Sequence, residues 1–518
     1  MARILKVLGL GLVIATIVWL VTLWQWQQTE REIGMNDIVL QLIILPLLLT
    51  AGLLAALWVV ERMRAPSAAP QPDKRQADRA AAAESALSAE AQAQRDASAW
   101  VVSEAVHLSI GPDADTALTT LQGGSVRPDL DAQLQDLDGL PVFTARVPDL
   151  DLDDWLQAHG ELTHPDEGGL PHKVLRALAL LELPLHRVLD ALADLHPSAA
   201  MAGQPSTLDA LHADDDFGKA HLSGVARPMA PAQLASQEAQ RPRVMVRVIW
   251  PSHWQEVDSE AATTWLKSQC GGLLDWVSAV EALPPVWQVT PLAQAEALWP
   301  EIDQHLQRWA REPRPELLLI LAADSAVDAD RIDHLQAVGE LFTSAHQTGR
   351  VPGEGAAALL LAHPQWPQLR EQAPQAVRLW RPLSSRRDKS ADAAGRTGCT
   401  ALSTVLTEAL HRSTPPHEAL MVVSDADHRA SRTGELFEAL QGVAPDVDPM
   451  LQVARLGEAC GDLGAARALV PTALACAALR NSEHAQRVAL ATHVQSSHER
   501  VVVALSPMPP LPEVAEAA

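Results

Sequence analysis

LLLILAADSAVD at 317–328, followed by DHLQAVGELFTSAHQTGRVPGEGAAALLLA at 333–362, is the stretch whose reading decides the fold. Leu317 to Ala322 is a short apolar run that stops at Asp324-Ser325, the pattern of a buried strand ending at a polar edge. Arg331 to Glu340 carries helical spacing and gives way to the small, polar segment Thr343 to Arg350. Val351-Pro352-Gly353-Glu354-Gly355 is then a tight turn, running without a break into the second buried strand Ala356 to Ala362. Two glycines around one carboxylate, set before a run of alanines, permit a backbone approach that larger side chains would block.

This strand, helix and PGEGAA turn resemble the thiolase-like β-ketoacyl synthases, whose chains carry a VDS-type strand end and then a GF-x-PGEGAAALLL turn and strand. Glu458 to Leu469, EACGDLGAARAL, resembles the same family's GH-x-x-GAAG turn, which opens a buried helix. It departs by the single spacer Leu463 where that pattern has two. The resemblance implies a layered α/β/α body made of two structurally similar halves, and a homodimer.

The same resemblance implies a nucleophilic cysteine at a strand-to-helix elbow ahead of the GEGA turn. Here Val286 to Val289 reads as a short strand leading into Thr290-Pro291-Leu292-Ala293-Gln294-Ala295-Glu296, read as the start of a helix, and no cysteine is present. Acyl transfer needs a soft nucleophile at a helix N-terminus, where the dipole lowers the thiol pKa and backbone N–H groups stabilise the oxyanion. Pro291 lacks an N–H, Leu292 and Ala293 have nothing to attack with, and Thr290 has no base beside it in sequence. Cys270, inside the predicted helix Ala261 to Val277, reads as a packing thiol.

The family also uses two histidines. At the GH-like turn this chain has Gly461-Asp462, and a carboxylate beside a developing oxyanion repels it. In VVSDADHRASR, 422–432, His428 stands between Asp427 and Arg429 without the family's glycine-threonine context, and reads either as a surface hydrogen-bonded histidine or as a remnant catalytic group. Pro291, Gly353, Glu354, Gly355, Asp427, His428, Gly461 and Asp462 thus make up a degenerate site motif. No catalytic residue, cofactor or metal ligand is assigned.

The 518 residues include 64 Asp and Glu against 40 Lys and Arg, a net charge of -24, which excludes a nucleic-acid backbone as partner because that needs a basic face. Cys270, Cys399, Cys460 and Cys476 show no CxxC or metal spacing, so a reduced compartment is expected. No P-loop, GxGxxG, HExxH or GxSxG pattern occurs. Arg386, Arg387 and Lys389, in the one locally basic portion of the body, read either as an exposed mixed-charge loop or as a contact for a phosphate, headgroup or carboxylate.

Ahead of the body, Val7 to Trp26 is apolar and charge-free, and Ile38 to Val60 is a second such run broken only by Gln41, Pro46 and Thr50. Each is long enough to cross a hydrocarbon core as a helix. Arg3 and Lys6 precede the first run, Arg62, Arg64, Lys74, Arg75 and Arg79 follow the second, and the loop between carries only Arg31 against Glu30, Glu32 and Asp37. The positive-inside bias puts both termini in the cytoplasm.

The expected organisation is α/β with a transmembrane hairpin (1–64), an Ala/Pro-rich stalk (65–98), thiolase-like halves at 99–290 and 291–506, and a flexible tail (507–518). Two spanning helices followed by a thiolase-like body suggest a two-pass inner-membrane protein with its soluble body in the cytoplasm. The expected role is a non-catalytic homodimeric binding or assembly platform, for instance an adapter beside a secretion apparatus, with the lipid bilayer and an unidentified protein as partners. The alternative is an acyl-transferring enzyme that uses Cys270 or Cys460 as an unrecognised nucleophile.

Overall fold

The structure is a computed structural model. It describes residues 16, 19–21, 24, 92, 94–124, 126–160, 162–164, 168–195, 241–280, 282–312, 314–395, 398–413, 420–481 and 488–508. The chain divides into two compact units, Met1–Ala89 and Glu90–Ala518. In the first, the described residues are Thr16, Trp19, Leu20, Val21 and Trp24, all helical and exposed. Nearly all of the expected transmembrane hairpin, stalk and tail therefore lies outside the described residues. Among those described, no helix is long and apolar enough to cross a membrane.

The second unit is a mixed α/β body built on one large sheet. Its strands are β1 (Ser98–Leu108), the hairpin β2 (Asp129–Gln135) and β3 (Pro141–Thr144), and the short pair β4 (Thr163–His164) and β5 (Gly168–Gly169). There follow β6 (Arg243–Pro251), β7 (Val286–Leu292), β8 (Glu316–Ser325), β9 (Glu354–Ala362) and β10 (Val377–Trp380). The last five are β11 (Leu383–Arg386), β12 (Leu420–Ser424), β13 (Val453–Arg455), β14 (Val488–His493) and β15 (Glu499–Pro507).

The large sheet runs β13-β12-β14-β15-β10-β1-β9-β8-β6-β7, with β11 added beside β15. Two series of strands follow the same plan in it. β1, β6, β7, β8 and β9, taken as strands one to five, lie in the order three, two, four, five, one; so do β10, β12, β13, β14 and β15. Directions repeat too. The outer three strands of each series are parallel, and the remaining two pairings are antiparallel. The series join where β1 pairs antiparallel with β10, Val101 opposite Val377. The first series closes at Ala362 and the second opens at Val377, so the division expected at 290/291 falls within β7 instead.

Burial explains why the decisive stretch is so uniformly apolar. Leu318, Ile320 and Ala322 of β8 enter one hydrophobic cluster, while Leu317, Leu319, Leu321 and Ala323 enter another on the opposite face. β9 does the same with Ala357, Leu359 and Leu361 against Ala356, Ala358, Leu360 and Ala362. A strand covered on both faces loses the alternation of a half-exposed one. The first cluster also takes Met421 and Val423 of β12 and Ala489 and Ala491 of β14, with the helix Val470–Arg480, buried from Val470 to Leu479, among its covering elements. Helix His172–Ala193 covers the other face of the first series, and Thr400–Ser413 with Ala430–Val443 that of the second.

Two local expectations change. Ala261 to Val277 is two helices, Glu256–Gln269 and Gly271–Ala279, broken at the buried Cys270. Thr290-Pro291 belongs to β7, not to a helix start; β7 is the last strand of the sheet, where a proline costs no ladder bond on its free side. Arg386 and Arg387 are spoken for as well: Arg386 pairs with Glu499 at 2.7 Å, and the buried Arg387 pairs with Glu435.

Candidate functional site

The two glycine-rich turns singled out in the sequence touch. The Asp462 amide donates to the Val351 carbonyl at 2.8 Å, and the Gly353 amide donates to the Asp462 carbonyl at 3.2 Å. The fit requires glycine. A Cβ on Gly353 would lie 2.1 Å from the Cys460 carbonyl oxygen, and one on Gly461, whose φ is 63°, would lie 2.5 Å from that of Val351.

Glu354 is fully buried just beyond this contact. Its Oε1 accepts from the Val147 amide at 2.8 Å and its Oε2 from the Ser325 hydroxyl at 2.7 Å. Arg176, on helix His172–Ala193, adds a fork through Nε at 2.8 Å and Nη2 at 2.5 Å. Every lone pair that burial would leave stranded is engaged, and the carboxylate fastens the turn to the helix below it.

Beside the turns lies a buried cluster of charges drawn from both strand series. Arg467, in the short 3-10 turn Gly464–Ala468, donates through Nη1 to Glu296 and to Asp425, each at 2.7 Å. Glu296 sits in the turn after β7, and Asp425 is the first residue beyond β12. Asp425 also accepts from the Val494 amide at 2.6 Å, and Glu296 from the Ser496 amide at 3.2 Å. Burial pushes the Asp425 carboxyl up to about 6, with Arg467 pulling it back and Glu296 adding repulsion. For Glu296 burial pushes upward too, but Arg467 and its amide bonds outweigh it and hold the carboxyl below its ordinary value.

His493 stands 3.8 Å from Asp425, a distance that counts as an ion pair only for a protonated ring. Burial pushes the imidazole down to about 3, so it is neutral, and its Nε2 accepts the Trp299 indole N–H at 3.0 Å. On the other side, burial works against the Asp462 carboxylate, yet Arg350 at 3.0 Å and Arg467 keep it ionised well below the usual carboxylate range. Asp324, at the end of β8, accepts from the Ala465 amide through Oδ2 at 3.0 Å, while its buried Oδ1 has no partner. Burial pushes its carboxyl up to about 7.

These groups hold chain segments together, and no thiol faces an imidazole among them. Burial pushes Cys270 and Cys460 up to about 12 and Cys476 well above its ordinary value. Cys399 is half-buried before helix Thr400–Ser413, where its sulfur accepts the Ser403 hydroxyl at 3.5 Å.

Of the residues picked out in the sequence, Gly353, Glu354, Gly355, Gly461 and Asp462 come together. Pro291 stays in β7 opposite Trp250, and Glu296 is the residue of that segment that reaches the cluster. Asp427 spends its carboxylate on Arg429 at 2.7 Å. His428 is half-buried and packs edge-on against Phe342, ring centroids 4.9 Å apart. Sequence reading missed Arg176, Glu296, Asp324, Asp425 and Arg467. The available signal was a single charge inside an otherwise small or apolar run, as in PLAQAEALW and GAARALV. A groove of about 520 Å³ opens nearby, lined by Glu340, Arg350, Asp392 and Arg429; its arginines are already paired with Asp462 and Asp427.

No family model and no curated protein matches the chain. Among solved structures it is similar to the ishigamide ketosynthase/chain length factor, at 14% identity over 80% of this chain and 100% of that one, with a TM-score of 0.47. It is similar also to the PfaC keto synthase-chain length factor, at 13% identity over 79% of this chain and 43% of that one, TM-score 0.46. A third likeness is to the ketosynthase from module 1 of the bacillaene synthase from Bacillus amyloliquefaciens FZB42. There the identity is 13% over 82% of this chain and 75% of that one, with a TM-score of 0.44.

Proposed function

We propose that this chain is a thiolase-like body in which a buried salt-bridge cluster stands where a condensing enzyme keeps its reactive groups, and that it serves as a binding and assembly platform. The observation that carries this reading is Arg467 held between Glu296 and Asp425. A guanidinium is no nucleophile, and the Nη donors of this one are spent on the two carboxylates. The thiolase-like part draws support from the strand order repeated in two series and from the contact between the GEG and GD turns.

In this reading the two apolar runs at 7–26 and 38–60 anchor the chain as a two-pass inner-membrane protein with the body in the cytoplasm. The protein partner is an assembly at that membrane, with an adapter role beside a secretion apparatus as the working form. The body pairs with a second copy through β7. That edge strand carries no charge in an acidic chain, and its Val286 and Val289 are 37% and 43% exposed. Val289→Lys is expected to shift the detergent-extracted full chain from dimer to monomer in sedimentation.

The catalytic alternative has Cys460 as its best nucleophile, since that residue lies in the turn that meets Gly353. Incubating the full chain with a fatty-acyl thioester and reading intact mass separates the two. No covalent acyl adduct is expected. One acyl group per chain, lost in Cys460→Ser or Cys270→Ser, overturns the platform reading.

A further inference from the structure

Two cations near the site lack the carboxylate partner that the neighbouring arginines have. Arg146, Arg176, Arg350 and Arg467 are paired with Asp131, Glu354, Asp462 and Glu296 respectively. Among the described residues Lys173 and Arg331 have no such pair, and the Nε of Arg331 is buried without a hydrogen-bond partner. Carboxylates are close in sequence, but Asp328 spends its Oδ1 on the Asp330 amide, capping its helix, while Asp330 and Asp333 are exposed.

The fold brings these cations to one place. β6 and β8 are parallel neighbours with Ile249 opposite Ala322, so the segments that follow them leave the same edge. His253 is two residues past the end of β6, and the helix Ala329–Ala337, which carries Arg331 and His334, starts four residues past β8. Lys173 is in the first turn of the 22-residue helix His172–Ala193, whose cap Pro171 supplies no side-chain hydrogen bond. Arg176 ties that first turn to Glu354. The His253 ring is exposed on its outer side, and desolvation on its inner side, with the charges of Arg331, Lys173 and His334 nearby, holds it below its ordinary value.

We propose that Lys173, Arg331 and the His253 ring form a binding site for a compact oxyanion, a phosphate group, at the carboxyl ends of β6 and β8. Ligands of open α/β sheets sit outside the carboxyl ends of parallel strands, and a helix N-terminus adds backbone donors and a favourable dipole. A phosphate would supply the acceptor that the buried Arg331 Nε lacks. The carboxyls facing the site from deeper in the body are Asp324 and Asp462, and Asp462 is engaged by Arg350 and Arg467. This site does not depend on the platform reading, and its failure would leave that reading untouched.

The test is the unfolding temperature of the detergent-extracted full chain in inorganic phosphate, with ionic strength held constant by chloride. A saturable rise is expected in the wild type. Arg331→Gln and Lys173→Gln should each weaken half-saturation roughly tenfold or more, the loss of one charge-assisted bond. Lys267→Gln, which alters a lysine lying over Trp287 elsewhere, should leave it unchanged. Repeating the titration with a soluble short-chain phosphatidylglycerol distinguishes the sources: tighter saturation assigns the site to a lipid headgroup, weaker saturation to free phosphate. A phosphate effect no larger than that of chloride, or one that survives the Lys173→Gln/Arg331→Gln double variant, overturns the proposal.

Discussion

Replacing Asp324 with asparagine removes one buried charge and almost nothing else. The Asn carbonyl can still accept from the Ala465 amide, and its NH2 takes the position of an oxygen that already has no partner. Burial moves the Asp324 carboxyl from 3.8 to about 7, roughly three units, or about 4 kcal/mol at 1.36 kcal/mol per unit. The folded pKa lies above the unfolded one, so the folded chain binds this proton more tightly. Its stabilising effect is complete below pH 3.8 and is lost as pH rises toward about 7. Above that, the wild type carries a buried carboxylate and the variant does not. Urea unfolding of the full chain should therefore show Asp324→Asn more stable by a few kcal/mol at about pH 8, with a gap that closes toward about pH 4. The stranded amide donor costs the variant about 1 kcal/mol at every pH, which lowers the curve without tilting it. The same pH slope in both proteins, or a variant that is less stable at about pH 8, would refute the reasoning.

Three further outcomes follow from the same contacts. Gly353→Ala should abolish recovery of folded protein, because the new Cβ meets the Cys460 carbonyl at 2.1 Å and backbone has no rotamer to escape with. Gly464→Ala, where φ is 53° and the Cβ would lie 1.9 Å from Asp324 Oδ2, should cost about 1–2 kcal/mol for the backbone alone, more than that in total, and part of the loss should be recovered with Asp324→Ala. Arg467→Met should destabilise by about 3–5 kcal/mol by stranding Glu296 and Asp425, and adding Glu296→Leu and Asp425→Leu should restore most of it, read by denaturant midpoint.

The parts of the fold that were legible in the sequence are those set by local burial. β8 and β9 are unbroken apolar runs because both faces are covered. The repeated strand order left no trace, since β1, SAWVVSEAVHL, and β10, VRLW, hold corresponding places with nothing in common. Proline misled at β7. Pro291 is as well suited to the first turn of a helix as to the free side of an edge strand, and local pattern does not separate the two. At the site, the glycines were legible because close backbone contact admits no other residue. The charges were not: Glu296 and Arg467 are 171 positions apart, and no periodicity links partners that only the folded sheet brings together.

Native-state alkylation of the four cysteines, followed residue by residue by mass spectrometry of the full chain, tests the central claim most directly. Cys399, half-buried, should label, while Cys270, Cys460 and Cys476 should stay unmodified at about pH 8 until denaturant is added, since burial keeps each of them a thiol. Rapid labelling of Cys460 or Cys270 in the folded chain, with a rate that titrates below about pH 8, would mean that a working nucleophile sits where the salt-bridge account has none.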